Sequence, residues 1–158
     1  MPRQTKPSNA QTNLTGPDLN HGSPMIDWFV PGQPASQGSK RYVGKGIMID
    51  TDPKLKSWRA LVAETCPKGT FFDGPVRLTA VVQYLRPQAH YGRRNGERYL
   101  KDDAPHFKAS RPDCDKIARA ILDSLTGVLY KDDAQIVILE IVKVYADVMG
   151  VRIEVSEC

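Results

Sequence analysis

Arg111-Pro112-Asp113-Cys114-Asp115-Lys116-Ile117-Ala118-Arg119-Ala120-Ile121-Leu122-Asp123-Ser124-Leu125 leads, after Thr126-Gly127, into Val128-Leu129-Tyr130-Lys131-Asp132-Asp133-Ala134-Gln135-Ile136. Ile117, Ala118, Ile121, Leu122 and Leu125 recur at the period of one helix face, and Gly127 supplies a left-handed stop. The spacing predicts a helix over 115–126. Ahead of it, Pro112 favours an extended entry. Residues two apart in extended backbone point the same way, so the carboxylates of Asp113 and Asp115 can face one site. Beyond the helix the chain reverses, and Asp132 and Asp133 precede a long strand expected over 134–145. If strand and helix pack as neighbours, their loops can meet and gather three or four carboxylate oxygens.

Working outward, Ile26-Asp27-Trp28-Phe29-Val30 fits a first strand, and the Pro- and Gly-rich stretch over 31–42 cannot hold regular structure. That stretch ends in Lys40-Arg41 and reads equally as a surface loop or as one lying along a DNA backbone. Asp52-Pro53 suits a helix start, and Leu55, Trp58, Leu61 and Val62 continue at helical spacing until Pro67-Lys68-Gly69. A strand is expected over 76–85, a long basic loop over 86–111, and a last strand over 151–155 that pairs with the 134–145 strand as a hairpin. The order implies an α+β domain, a small mixed β-sheet with two main helices packed on it. It occupies 25–158. Residues 1–24, poor in large apolar groups, read as a disordered tail.

Composition narrows the function classes. With 158 residues, 41% hydrophobic and 25% charged, the chain has the makeup of one soluble domain. No segment approaches the ~20 apolar residues of a membrane span, and no secretory signal opens the chain, so a cytoplasmic location without a membrane partner is expected. Cys66, Cys114 and Cys158 form no C-x-x-C pair, and His21, His90 and His106 stand apart. That pattern offers neither a zinc site nor a disulfide framework. The net charge of +4 is concentrated in 86–119, where Arg93, Arg94, Arg98, Lys108, Arg111 and Lys116 alternate with aromatic residues. Such a stretch either grips phosphates and stacks on bases or forms a solvated loop.

A cluster of aspartates opposes its own ionisation unless a cation fills it. Magnesium takes oxygen ligands, retains waters, and can serve phosphodiester hydrolysis, so Asp113, Asp115, Asp132 and Asp133 are candidate metal ligands. The soft sulfur of Cys114 does not suit that ion. Asp115, Arg119 and Asp123 lie at i, i+4 and i+8 along one helix face, where Arg119 can form ion pairs or reach a phosphate oxygen.

The two quoted segments closely resemble the RusA family of Holliday junction resolvases, with its D-x-D-N-x-x-K segment, L-D-A-L helix end and D-D-x-Q-[VI] segment. The likeness is strong over 111–143 and looser back to Phe29-Val30-Pro31-Gly32, Gln37-Gly38-Ser39 and His90-Tyr91. It implies a crossover junction endodeoxyribonuclease, a homodimer with two acidic Mg²⁺ sites that nicks opposed strands of a four-way junction, often phage- or prophage-encoded. Mn²⁺ can stand in for Mg²⁺, and no small-molecule cofactor is implied. On this resemblance Asp113, Asp115 and Asp133 are the catalytic aspartates, and Lys143 matches a family lysine. Arg119 stands where the family has a catalytic lysine, and Lys116 where it has asparagine. Arginine keeps the charge but cannot lose a proton at working pH. Lys40, Arg41, Arg93, Arg94, Arg111, Lys116 and Lys143 are the expected DNA contacts. The two departures leave room for a branched-DNA-binding protein with weak or lost chemistry; a related metal nuclease preferring other branched substrates is a separate alternative.

Overall fold

A computed structural model describes residues 24–38, 41–42, 44–49 and 53–158. The expected tail, apart from Pro24, lies outside these residues, as do Lys40 and Asp52. In chain order the elements are β1 (Met25–Pro31), β2 (Arg41–Tyr42), β3 (Met48–Ile49), α1 (Leu55–Thr65), β4 (Val76–Leu85), β5 (Tyr91–Arg94), β6 (Glu97–Leu100), α2 (Cys114–Leu125), β7 (Ile136–Ala146) and β8 (Gly150–Glu157). The arrangement is α+β, as the order of elements implied.

The main sheet runs β1-β8-β4-β7 and is mixed: β4 and β7 are parallel, the other pairs antiparallel. β4 takes an inner place because its alternate residues Val76, Leu78, Ala80, Val82 and Tyr84 are all buried and those between are half-buried. One face of the sheet carries the core. Trp28 and Val30 of β1, Val151 and Ile153 of β8 and the buried residues of β4 pack there with Leu55, Trp58 and Val62 of α1 and Ile117, Ile121 and Leu125 of α2.

Three expectations need correction. β7 and β8 are joined by only three residues, Asp147, Val148 and Met149, yet they do not pair; β4 lies between them. The link therefore crosses two strand spacings, about 10 Å, which three extended residues can cover. Local connection is outweighed by the burial that β4 gains in an inner position. The basic stretch is not a structureless loop either, for β5 and β6 pair around Asn95 (φ 52) and Gly96 (φ 84). Two left-handed residues are what a two-residue type I′ hairpin demands, and Asn-Gly supplies them at least cost. Finally, α2 starts at Cys114, with Asp113 as its extended N-cap residue (φ −74, ψ 148). Asp115 thus sits in the helix rather than in extended chain, and the two carboxylates do not share a face by strand alternation.

Ile121 is fully buried between α2 and the sheet. Ile121→Ala should lower unfolding free energy by about 2–5 kcal/mol in a denaturant titration. A loss near zero would mean that α2 does not pack where described.

Candidate active site

The approach to α2 is held by two lysines. Lys143 of β7 donates from Nζ to the carbonyl oxygens of Ser110 (2.8 Å) and Pro112 (2.7 Å). Lys108 donates to Ser110 Oγ (2.7 Å), to Ser110 O (3.3 Å) and to Arg111 O. Its ammonium also lies 4.8 Å from the centre of the Tyr84 ring. Burial, and then the nearby Lys143 charge, hold the Lys108 ammonium below its ordinary pKa. The backbone of this segment is itself bonded to the edge of β7, through Lys108 N to Lys143 O (3.0 Å) and Tyr145 N to His106 O (2.9 Å). Three successive carbonyls next to Asp113 are therefore fixed by two cations, which sets where the helix begins and where its first carboxylates stand.

Asp113 and Asp115 are both exposed at this end. Asp113 Oδ2 lies 3.0 Å from Lys116 Nζ. The hydrogen bond and charge of Lys116, reinforced by Arg111 and Lys143, hold the Asp113 carboxyl below the usual carboxylate range. A cleft of about 400 Å³ opens here, with Gln33, Ser36 and Gly38 on one wall and Arg111, Asp113 and Lys116 on the other. Gln37 N donates to Lys116 O (3.0 Å), so the Pro- and Gly-rich loop is tied to α2 and forms a wall of the acidic cleft.

Asp132 and Asp133 stand at the opposite end of α2, where the chain turns into β7. Asp132 Oδ1 accepts from Ala134 N (2.8 Å). Gln135 organises the turn: Oε1 accepts from Lys131 N (2.9 Å) and Asp132 N (3.1 Å), and Nε2 donates to Phe72 O (2.9 Å) and Gly74 O (3.0 Å). Tyr130, fully buried beneath it, donates from its hydroxyl to Leu122 O (3.1 Å). Burial, then the charges of Asp133 and Asp123, push its phenol pKa up.

The expected convergence of these aspartates does not occur within one chain. Lys143 bonds the Pro112 carbonyl, so Asp113 lies beside the late part of β7, whereas Asp133 comes three residues before its first residue, Ile136. Seven strand residues at ~3.3 Å each separate Ile136 from Lys143, roughly 23 Å. The 12 residues of α2 span about 18 Å by an independent route. Among the described residues no three His, Cys, Asp or Glu side chains come together as a metal-holding group. The helix-face row is also divided. Asp123 pairs with Arg59 of α1 (3.6 Å), which further donates to Asp123 O (3.2 Å), while Arg119 is exposed and pairs with neither aspartate.

Of the remaining candidates, Arg93 and Arg94 are exposed on β5, Arg111 is exposed at the cleft, and Arg41 lies in β2. The sequence shows Lys108 only as one charge of the basic stretch and Gln135 only as the glutamine of the D-D-x-Q-[VI] segment, neither with a role at the site. Gln135 could have been found, since a glutamine three residues after Asp132 is the capping-box spacing, and both halves of that box are present. Nothing in the periodicity marks Lys108.

A family model described as Endodeoxyribonuclease RusA matches residues 31–156. The chain belongs to the RusA family. The family match takes in β4, β7 and nearly all of β8 of the main sheet, both helices and both acidic ends, and it assigns the chain to endodeoxyribonucleases. The chain is also similar to YqaN of Bacillus subtilis (strain 168), a protein described as uncharacterized. They are 28% identical over 138 residues, which cover 84% of this RusA chain and 96% of YqaN. No helix among the described residues is long and apolar enough to cross a membrane.

The Asp113 carboxylate is favoured by Lys116 over its acid form, so the pair persists at neutral pH and is lost as pH falls through the lowered pKa. Lys116→Asn should move the Asp113 titration midpoint, followed by carboxyl NMR, upward toward the ordinary carboxylate value. An unmoved midpoint would show that the ion pair does not form in solution.

Proposed function

We propose that the protein is a magnesium-dependent endonuclease that works as a homodimer on four-way (Holliday) DNA junctions, nicking opposed strands in recombination and repair in the bacterial cytoplasm. The observation that carries this reading is the division of the acidic residues between the two ends of α2, together with the open edge of β7. Among the described residues that edge is paired only at Val144, by Phe107, and its earlier part exposes Val137 (59%) and Leu139 (43%). Two such edges joined antiparallel over their open part, about a two-fold axis at Leu139, would carry the partner subunit's Asp133 toward the end of β7 that holds Tyr145, because both positions lie six residues from Leu139. Tyr145 is two residues past Lys143, which bonds the carbonyl beside Asp113. A closed pair of this kind builds two equivalent sites from ends that one chain keeps apart, and two sites on a two-fold axis match the two opposed strands of a junction.

In this reading Asp113 and Asp115, with Asp132 and Asp133 of the partner subunit, hold the metal. Carboxylate oxygens are the donors that Mg²⁺ prefers, and Mn²⁺ accepts them too. When bound, the ion supplies Lewis-acid stabilisation of the charge that develops on the phosphodiester. Arg119, one turn along from Asp115 and free of ion pairs among the described residues, clamps a phosphate oxygen but cannot donate a proton. Arg111 and Lys116 at the cleft, Arg93 and Arg94 on β5, and Lys40 and Arg41 before it supply DNA contacts. Lys143 acts chiefly through the Ser110 and Pro112 carbonyls and so positions Asp113.

One observation favours a second reading, a branched-DNA-binding protein with weak or no cleavage: Lys116 lies on Asp113, where a metal would have to displace it.

The two are separated by complementation. Asp115→Asn and Asp133→Asn chains should each fail to nick a synthetic four-way junction with Mg²⁺, whereas their co-expressed mixture should regain nicking at one of its two sites. Activity in the wild type that the mixture does not regain would exclude a site shared between subunits. Tight junction binding by the wild type with no nicking in Mg²⁺ or Mn²⁺ would favour the second reading.

A further inference from the structure

The β5–β6 ribbon has two unlike faces. Its register pairs Tyr91 with Leu100, Gly92 with Tyr99, Arg93 with Arg98, and Arg94 with Glu97. Directly opposed residues share a face, as do residues two apart along a strand. On one face Arg94 is opposed by an acid, and the Tyr99 ring lies so close over Gly92 that a Cβ there would meet it at 2.5 Å. The other face carries Tyr91, Arg93, Arg98 and Leu100. There two arginines stand opposite each other, and neither forms an ion pair among the described residues.

Like charges directly opposed across two strands destabilise the pairing. A surface that keeps such a pair without a compensating acid breaks a local rule, and broken rules concentrate where a ligand supplies the compensation. Arg98 is moreover held in place: its guanidinium carbon lies 3.6 Å from the centre of the Tyr91 ring. A stacked guanidinium loses mobility but keeps its N–H edge for an anion, and Arg93 beside it adds a second planar fork.

The ribbon is also rooted. Lys101 N donates to His90 O (3.0 Å) and Lys101 Nζ to Ala89 O (2.9 Å) at its base. The His90 ring stands edge-on to Tyr145 at 4.7 Å. Tyr145 belongs to the same end of β7 as Lys143 and the Asp113 segment, so the ribbon rises from the acidic end of the sheet. Its four-residue strands extend about 13 Å from that root.

We propose that the Arg93–Arg98 face of this ribbon is a separate phosphate-gripping surface that engages a DNA arm beyond the cleaved phosphodiester, and so favours branched over linear DNA. The proposal rests on the reading of the protein as a junction nuclease. Two arginines meeting one backbone phosphate relieve their mutual repulsion, and a second contact displaced from the acidic end adds affinity only for a substrate with an arm there.

The test uses the full chain in magnesium-free buffer with EDTA, titrated against a labelled four-way junction and a linear duplex of one arm's sequence. Fluorescence anisotropy is followed over a range of salt. Arg93→Gln/Arg98→Gln should weaken junction binding at least tenfold, lower its log–log salt slope by about 1–2, and change duplex binding less than threefold. Its melting temperature should match or exceed that of the wild type. A control losing the same charge elsewhere, Lys56→Gln/Lys68→Gln, should keep the junction slope. Should the double variant not fold, Arg93→Gln alone carries the comparison, with a slope change near one. An unchanged junction slope in a folded ribbon variant overturns the proposal, as does an equal loss in the control or an equal loss on duplex. A wild-type chain that binds neither DNA overturns the nuclease reading along with it.

Discussion

The inner position of β4 constrains everything that follows. Because β7 runs parallel to it, the chain must return from the end of one strand to the start of the other, and α2 makes that return across the core face. A helix that goes back along a parallel pair has its two ends at opposite ends of the sheet. Asp113 and Asp115 enter with the helix, whereas Asp132 and Asp133 leave with it. The separation of the acidic groups is thus a consequence of strand direction, not of loop detail, and no rearrangement of side chains inside one subunit can close it.

Electrostatics at the two ends is handled differently. At the start of α2, Lys108 and Lys143 are directed inward to carbonyl oxygens of the segment before Asp113. Hydrogen bonds from charged donors contribute about 1.5–3 kcal/mol each, enough to keep a surface segment from wandering. At the other end no cation is used. A neutral glutamine side chain satisfies two amides and two carbonyls at once, which fastens the Asp132-Asp133 turn to the backbone at Phe72 and Gly74. Both devices lock backbone, and both leave Asp113, Asp115, Asp132 and Asp133 exposed.

The α+β class, both helices and the strands at 25–31, 76–85 and 136–146 were readable from periodicity, because burial against one core imposes the pattern that periodicity detects. The chemical residues were readable as types. Their relative placement was not: the helical period of Ile117, Ile121 and Leu125 says which face is buried but nothing about which end meets which strand. The same limit produced the mistaken hairpin of β7 with β8, since three connecting residues fit a hairpin and a crossing of β4 equally well. The β5–β6 ribbon is a different case. Asn95-Gly96 is the hairpin signal, but the charged flanks Arg93-Arg94 and Glu97-Arg98 lack the apolar alternation by which a half-buried strand is recognised.

The interposed strand also has a bearing on how the chain reaches its native state. β7 and β8 cannot zip together as neighbours first, because β4 would then have no place to enter. β1 in turn waits for β8, the strand farthest from it in chain order among those described. The sheet is consequently assembled from distant parts of the chain, a slow route that leaves apolar strands uncovered in the meantime. Premature closure of the last two strands would be the natural misfolded form of this topology, and a nascent chain that met a chaperone before Gly150 emerged would be spared it.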